Sequence, residues 1–118
     1  AAGHLVQDAL GVADELAGEI SVEVFDPRTV YPFDWTGLAA SVGKTGRLVV
    51  IDDSNRTCGI GGEILATAAE EMRLAVPPRR VTRPDGAVLP FALELDIACQ
   101  PNREQLVTVV REVFKSGR

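Results

Sequence analysis

Apolar positions along this chain change period several times, and each change marks an element. Leu5, Val6, Ala9, Leu10, Ala13, Leu16 and Ala17 recur at helical spacing, which predicts a helix over residues 4–17, stopped by Gly18. From Ile20 the period drops to two. Ile20, Val22 and Val24 alternate with Ser21, Glu23 and Phe25, which predicts a strand over Ile20–Phe25 closed by Asp26-Pro27. Residues 28–33 read as an irregular crossing segment. Asp34 suits the N-cap of a short helix through about Val42, with Trp35, Leu38, Ala39 and Val42 as its buried stripe. The run Leu48-Val49-Val50-Ile51 reads as a buried strand that begins at Arg47 and ends in Asp52 and Asp53. Glycines at positions 59, 61 and 62 then lead into a helix over Glu63–Arg73, with Ile64, Leu65, Ala68 and Met72 facing inward.

Arg79–Thr82 predicts a third, short strand. Arg83-Pro84-Asp85-Gly86 closes it, because Pro fixes φ and Gly permits φ > 0. Residues 86–101 are the least regular stretch. Leu89, Phe91, Leu93, Leu95 and Ile97 alternate as a fourth strand would, but an extended loop over the core is the preferred reading. Asn102 with Gln105 forms a capping-box pair for a final helix over Asn102–Lys115, whose stripe is Leu106, Val109, Val110, Val113 and Phe114. Strands separated by helices pair in parallel through right-handed crossovers. The expected fold class is α/β, a three-layer α/β/α sandwich with a mainly parallel sheet, in one domain over residues 1–118.

Composition narrows the class. The chain has 118 residues, 46% of them hydrophobic, and a net charge of −5. That is one domain with a real core. An acidic balance with scattered Lys and Arg argues against nucleic acid. No apolar run is long enough to span a membrane. Two cysteines in dissimilar contexts, Cys58 and Cys99, make neither a disulfide scaffold nor a metal motif, so a reduced, cytoplasmic setting is expected. His4 is the only histidine, which leaves zinc without ligands.

The strand–glycine-turn–helix unit at Arg47–Glu63 is where a ligand would sit in a parallel sheet. Thr57, Gly59, Gly61 and Gly62 form the candidate anion or ligand turn, since bare backbone N–H groups at a helix N-terminus attract anions. The glycines fit neither the dinucleotide fingerprint nor the P-loop pattern, and Glu63 at the helix start would repel an anion. Asp52 and Asp53 are neighbours on a strand and point to opposite faces, which suits turn capping better than acid–base work. Asp26 and Arg28, flanking Pro27, are a candidate structural ion pair. These residues assemble no catalytic set: no nucleophile with a base and no metal cluster. A scaffold or interaction domain is the reading by chemistry alone.

The stretch VEVFDPRTVYPFDWTGLAASVGKTGRLVVIDD resembles the D-x-R-T-x-x-P-x-D and S-V-x-K-T-G-R-L-V pattern of the transketolase C-terminal domain. The similarity continues through T-x-G-x-G-x-E-I at Thr57–Ile64, P-x-R-V-T at Pro78–Thr82, Pro90-Phe91 and Pro101. It covers nearly the whole chain. Its nearest form is the beta subunit of thiamine-diphosphate-dependent 2-oxo acid dehydrogenases of the pyruvate, branched-chain and acetoin types. That resemblance implies a domain that is not catalytic alone and contacts a second beta subunit and the alpha subunit. It also implies docking of the peripheral domain of the lipoyl acyltransferase. Thiamine diphosphate and magnesium are expected in the parent enzyme and not in this domain. A strand ahead of helix 4–17, inside the sheet, is also implied, so the domain is expected to lack its first strand or strands. Cys58 and Arg83 stand where the family frequently has glycine. Two alternatives stay open: a free-standing regulatory or anion-binding module, or part of another thiamine enzyme such as a transketolase or deoxyxylulose-phosphate synthase.

Overall fold

A computed structural model describes residues 1–86 and 88–117. The elements in chain order are α1 (Leu5–Leu16), α2 (Trp35–Thr45), β1 (Val49–Asn55), α3 (Ile60–Glu71), β2 (Arg79–Arg83), α4 (Leu93–Cys99) and α5 (Arg103–Lys115). Helix periodicity sets the buried faces. Leu5, Ala9, Val12 and Leu16 of α1 are buried, and Val12 and Leu16 are fully enclosed. Each such Leu or Val contributes about 2 kcal/mol relative to standing in water.

Local chemistry fixes the helix ends. The Gly37 N–H donates to the Asp34 carboxylate at 2.9 Å and starts α2. Gly46, at φ +65°, ends it in the left-handed region with its N–H on the Val42 carbonyl. Asn102 and Gln105 exchange side-chain and backbone bonds at 2.9 and 3.2 Å, completing the capping box that the sequence predicts for α5. The far end of α5 is closed from outside. The Arg47 guanidinium donates to the Val113 carbonyl at 3.2 Å and to the Ser116 carbonyl at 3.3 Å.

β1 and β2 pair in parallel, Val49 with Arg79, Val50 with Arg80 and Ile51 with Val81, and the register then shifts before Asn55 meets Arg83. Alternation sorts the side chains into layers. Ile51 and Val81 pack with Leu5, Val12, Leu16, Leu106 and Val107 of α1 and α5. Val50 packs with Leu38, Val42 and Ile64 of α2 and α3. The result is the expected three-layer α/β/α arrangement around a parallel sheet.

The structure corrects the sequence reading at several places. Residues 20–25 form no strand ladder, although Ile20 is buried and Val22 and Val24 are packed against the core. A strand needs a neighbour to bond with, and β1 bonds only to β2 among the described residues. Residues 93–99 are the helix α4, neither strand nor extended loop. The alternating leucines there find no sheet, and the backbone closes on itself instead, with Asp96 N–H on the Ala92 carbonyl. β1 continues through Asp52 and Asp53 to Asn55, and α3 begins at Ile60, ahead of Glu63.

Candidate functional site

The carboxyl end of β1 carries three half-buried polar residues, Asp52, Asp53 and Ser54. Asp52 and Asp53 go to opposite faces of the strand. Asp52 receives the Gly61 N–H at 2.9 Å, at the first turn of α3, and the Ser54 hydroxyl also donates to it. A carboxylate at that position complements the positive end of the helix dipole. Room for a side chain is missing at Gly59, where backbone is in the way, while Gly62 faces only the movable tip of an arginine. A Cβ at Gly59 would collide with the Asn55 carbonyl oxygen and the Ser54 hydroxyl, and one at Gly62 would stand 2.8 Å from Arg80 Nη1. Cys58, just before, is exposed and holds φ +62°, a left-handed conformation that glycine adopts more readily.

Thr57 faces away from the helix. Its N–H and hydroxyl both donate to Asp85, at 2.8 and 2.7 Å, tying the glycine turn to the turn after β2. The Thr57 hydroxyl and N–H hold the Asp85 carboxyl below its ordinary pKa. Two of the turn's own donors are occupied as well: Gly61 N–H by Asp52 and Gly62 N–H by the Gly59 carbonyl at 3.1 Å.

On the other face Asp53 meets a residue whose role the sequence reading missed. Arg83 Nε donates to Asp53 at 2.7 Å, and Arg83 Nη1 donates to Asp96 of α4 at 3.0 Å. Gln100 holds the second oxygen of Asp96 at 2.8 Å. The Arg83 side chain is 9% exposed. Burial opposes its charge, but the Asp53 and Asp96 carboxylates outweigh burial and raise the guanidinium pKa above its ordinary value. A charge in the sequence where the family often has glycine was the available signal.

Asp26 and Arg28 come together only loosely. The Arg28 N–H donates to Asp26 at 2.9 Å, while the Arg28 Nε lies 3.9 Å from the carboxylate and the guanidinium stands in solvent. Arg28 itself has φ +65°. His4 is exposed at the start of α1.

A diphosphate–magnesium group does not fit these residues. The Gly61 and Gly62 N–H groups at the start of α3 already serve Asp52 and the Gly59 carbonyl, Arg83 is held by two carboxylates, and among the described residues no three His, Cys, Asp or Glu side chains converge as metal ligands. The residues of this turn therefore support no chemical step through such a group. No helix among the described residues is long and apolar enough to cross a membrane.

Comparison with known proteins agrees with this architecture. The family model described as transketolase, C-terminal domain, matches residues 1–106. The pyruvate dehydrogenase E1 component subunit beta of Staphylococcus epidermidis is 39% identical over 108 residues, covering 89% of this chain and 33% of the relative. The protein of the same name from Staphylococcus aureus is 34% identical over 116 residues, covering 96% of this chain and 35% of the relative. The chain thus spans about a third of the length of these relatives. A solved structure described as a split gene transketolase, inactive beta4 tetramer, superposes with a TM-score of 0.82 at 23% identity, over 99% of this chain and 38% of that one, and supports the fold. With a family match over most of its length and relatives at this identity, the chain belongs to the transketolase C-terminal domain family.

Proposed function

We propose that this chain is the C-terminal domain of the beta subunit of a thiamine-diphosphate-dependent 2-oxo acid dehydrogenase of the pyruvate dehydrogenase kind. Its work there is assembly: contact with a second beta subunit and with the alpha subunit, and docking of the peripheral domain of the lipoyl acyltransferase. It is not catalytic alone. Thiamine diphosphate and magnesium belong to other parts of the parent enzyme. The identity to beta subunits supports the parent.

The observation that carries the assembly role is an exposed apolar ledge. Val88, Leu89, Phe91, Leu93, Leu95 and Ile97 all stand in solvent, and α4 buries no residue. Tyr31, on the crossing segment, is 94% exposed. Monomeric proteins seldom leave so many large apolar side chains in water, and such patches mark interfaces. In this reading the glycine turn at Thr57, Gly59, Gly61 and Gly62 is a packing joint, and the Asp26–Arg28 contact shapes the crossing segment.

The test is made in the complete beta subunit expressed with its alpha subunit. Phe91→Asp and Leu95→Asp should cut assembly, read by analytical ultracentrifugation, and weaken calorimetric binding of the acyltransferase peripheral domain, while circular dichroism stays unchanged. If assembly and docking both survive these charges, the ledge is not the interface and the reading fails.

A further inference from the structure

Helix α4 is built inside out. Leu93, Leu95 and Ile97 stand in solvent. Across residues 91–100 only Asp96, Cys99 and Gln100 are half-buried. Those three recur at the i, i+3, i+4 spacing that places them on one helical face. The inward face of α4 is therefore polar, and no residue of α4 belongs to either apolar core cluster. Seven residues are too few for a helix to hold in water by itself. Ala92, at its start, supplies no side-chain cap.

Such a helix has to be held from outside. Among the described residues between Asp85 and Asn102, backbone hydrogen bonds stay within the stretch. Side chains add a single link to the rest of the domain, from Arg83 Nη1 to Asp96 at 3.0 Å. Gln100 donates to the other Asp96 oxygen and fixes the carboxylate toward Arg83. Arg83 itself is buried on β2 and keeps Asp53 of β1 at 2.7 Å. It therefore retains a counter-charge when α4 lets go, so release breaks one bond and leaves no bare cation. Pro90 and Pro101 flank the helix and cannot extend its hydrogen bonding. Pro101 is buried, where the chain rejoins the core.

We propose that α4 is a strap that opens and closes as one unit on the folded sheet, and that Arg83, acting through Asp96, is the catch that keeps it closed. Closed, the strap displays Leu93 and Ile97 one turn apart on a helix. Open, the same side chains lie scattered along an unwound segment, while β1 and β2 stay paired. The consequence for docking rests on the reading that the exposed ledge is the interface. On that reading Arg83 is a positioning residue: it touches no partner and sets the fraction of molecules ready to receive one, and the apparent affinity follows that fraction.

The experiment uses the complete beta subunit expressed with its alpha subunit, carrying Asp96→Ala. Alanine is the best helix former, so faster opening cannot come from lost propensity. Amide exchange of residues 96–100 should rise about tenfold, the weight of one charge-assisted hydrogen bond with part of its charge in water. Val50 and Ile51 should keep their rates. Glu94→Ala removes a carboxylate of the same turn that pairs with nothing among the described residues, and should stay within about twofold of the parent. Asp96→Glu keeps the charge and should bring slow exchange back. No acceleration in Asp96→Ala, or equal acceleration in Glu94→Ala, overturns the catch. Calorimetric affinity for the acyltransferase peripheral domain should fall about twofold or more in Asp96→Ala and recover in Asp96→Glu. Unchanged affinity in Asp96→Ala, where Leu95→Asp abolishes binding, overturns the positioning role. If Leu95→Asp leaves binding intact, the ledge reading fails by itself, and the exchange rates alone uphold or overturn the catch.

Discussion

Arginine meets aspartate at two places whose settings are opposite. Asp26 and Arg28 are two residues apart, 3.9 Å between charged atoms, with side chains 36% and 87% exposed. Arg83 reaches Asp53, thirty positions back, and Asp96, thirteen positions on, and its side chain is 9% exposed. The first contact joins neighbours that would be close in any conformation. The second joins β1, β2 and α4, three elements that meet only in the folded domain. Water screens the first pair and lets it go without penalty. The second cannot lose a partner without leaving a charge in a place water barely reaches. Proximity in sequence made the weak contact conspicuous and hid the strong one.

Breaking the comparison starts with Arg83. Arg83→Met removes the cation and leaves Asp53 and Asp96 facing each other. Both carboxylates keep some solvent, 31% and 28% exposed, which lowers the cost from that of a fully enclosed pair to about 2 kcal/mol. Urea denaturation should show the loss, together with faster amide exchange in α4. Asp96→Asn keeps the shape and one acceptor but removes half of the counter-charge. The expected loss is about 1 kcal/mol, and amide exchange should speed up in α4 more than in β1. Equal effects on both elements would mean that Arg83 does not anchor α4 separately.

The Thr57–Asp85 contact lies between the two extremes, exposed but doubly bonded. Its carboxyl is held below the ordinary pKa, so its stabilising contribution is present above the unfolded carboxylate range and is lost as pH falls through the folded value. Thr57→Val deletes the hydroxyl donor and leaves the N–H. The Asp85 pKa should then move back toward the ordinary value in an NMR titration, and acid should destabilise the variant by less than the parent. The smallest effect belongs to Asp26→Asn, expected within about 0.5 kcal/mol of the parent by thermal denaturation. A larger loss would show that the crossing segment depends on that charge.

Where order is local, the sequence shows it. Leu5, Ala9 and Leu16 of the predicted apolar series do form the buried face of α1, although fully enclosed Val12 lies outside that series and Leu10 within it is exposed, and Asn102 with Gln105 predicts the start of α5. The Leu48–Ile51 run predicts β1 because strands between helix layers are apolar on both faces. What escaped depends on distant partners. Residues 20–25 have the right alternation for a strand, but alternation cannot supply the neighbouring edge. Leu89 to Ile97 alternate too, yet α4 forms because no sheet edge receives them. At the glycine turn the residue types were visible, and so was the opposed facing of Asp52 and Asp53. The partners were not: Thr57 with Asp85 and Arg83 with Asp53 and Asp96 are pairings that only the crossing of β1 and β2 creates.

Arg47 ties the end of this domain to its middle. The Arg47 guanidinium reaches the Val113 and Ser116 carbonyls, sixty-six and sixty-nine positions on. The start of α5 is closed by its own capping box, and its end is shared between Ser116, which donates to the Glu112 carbonyl, and that distant arginine. The C-terminal turn of the domain is therefore a latch held from the lead-in to β1.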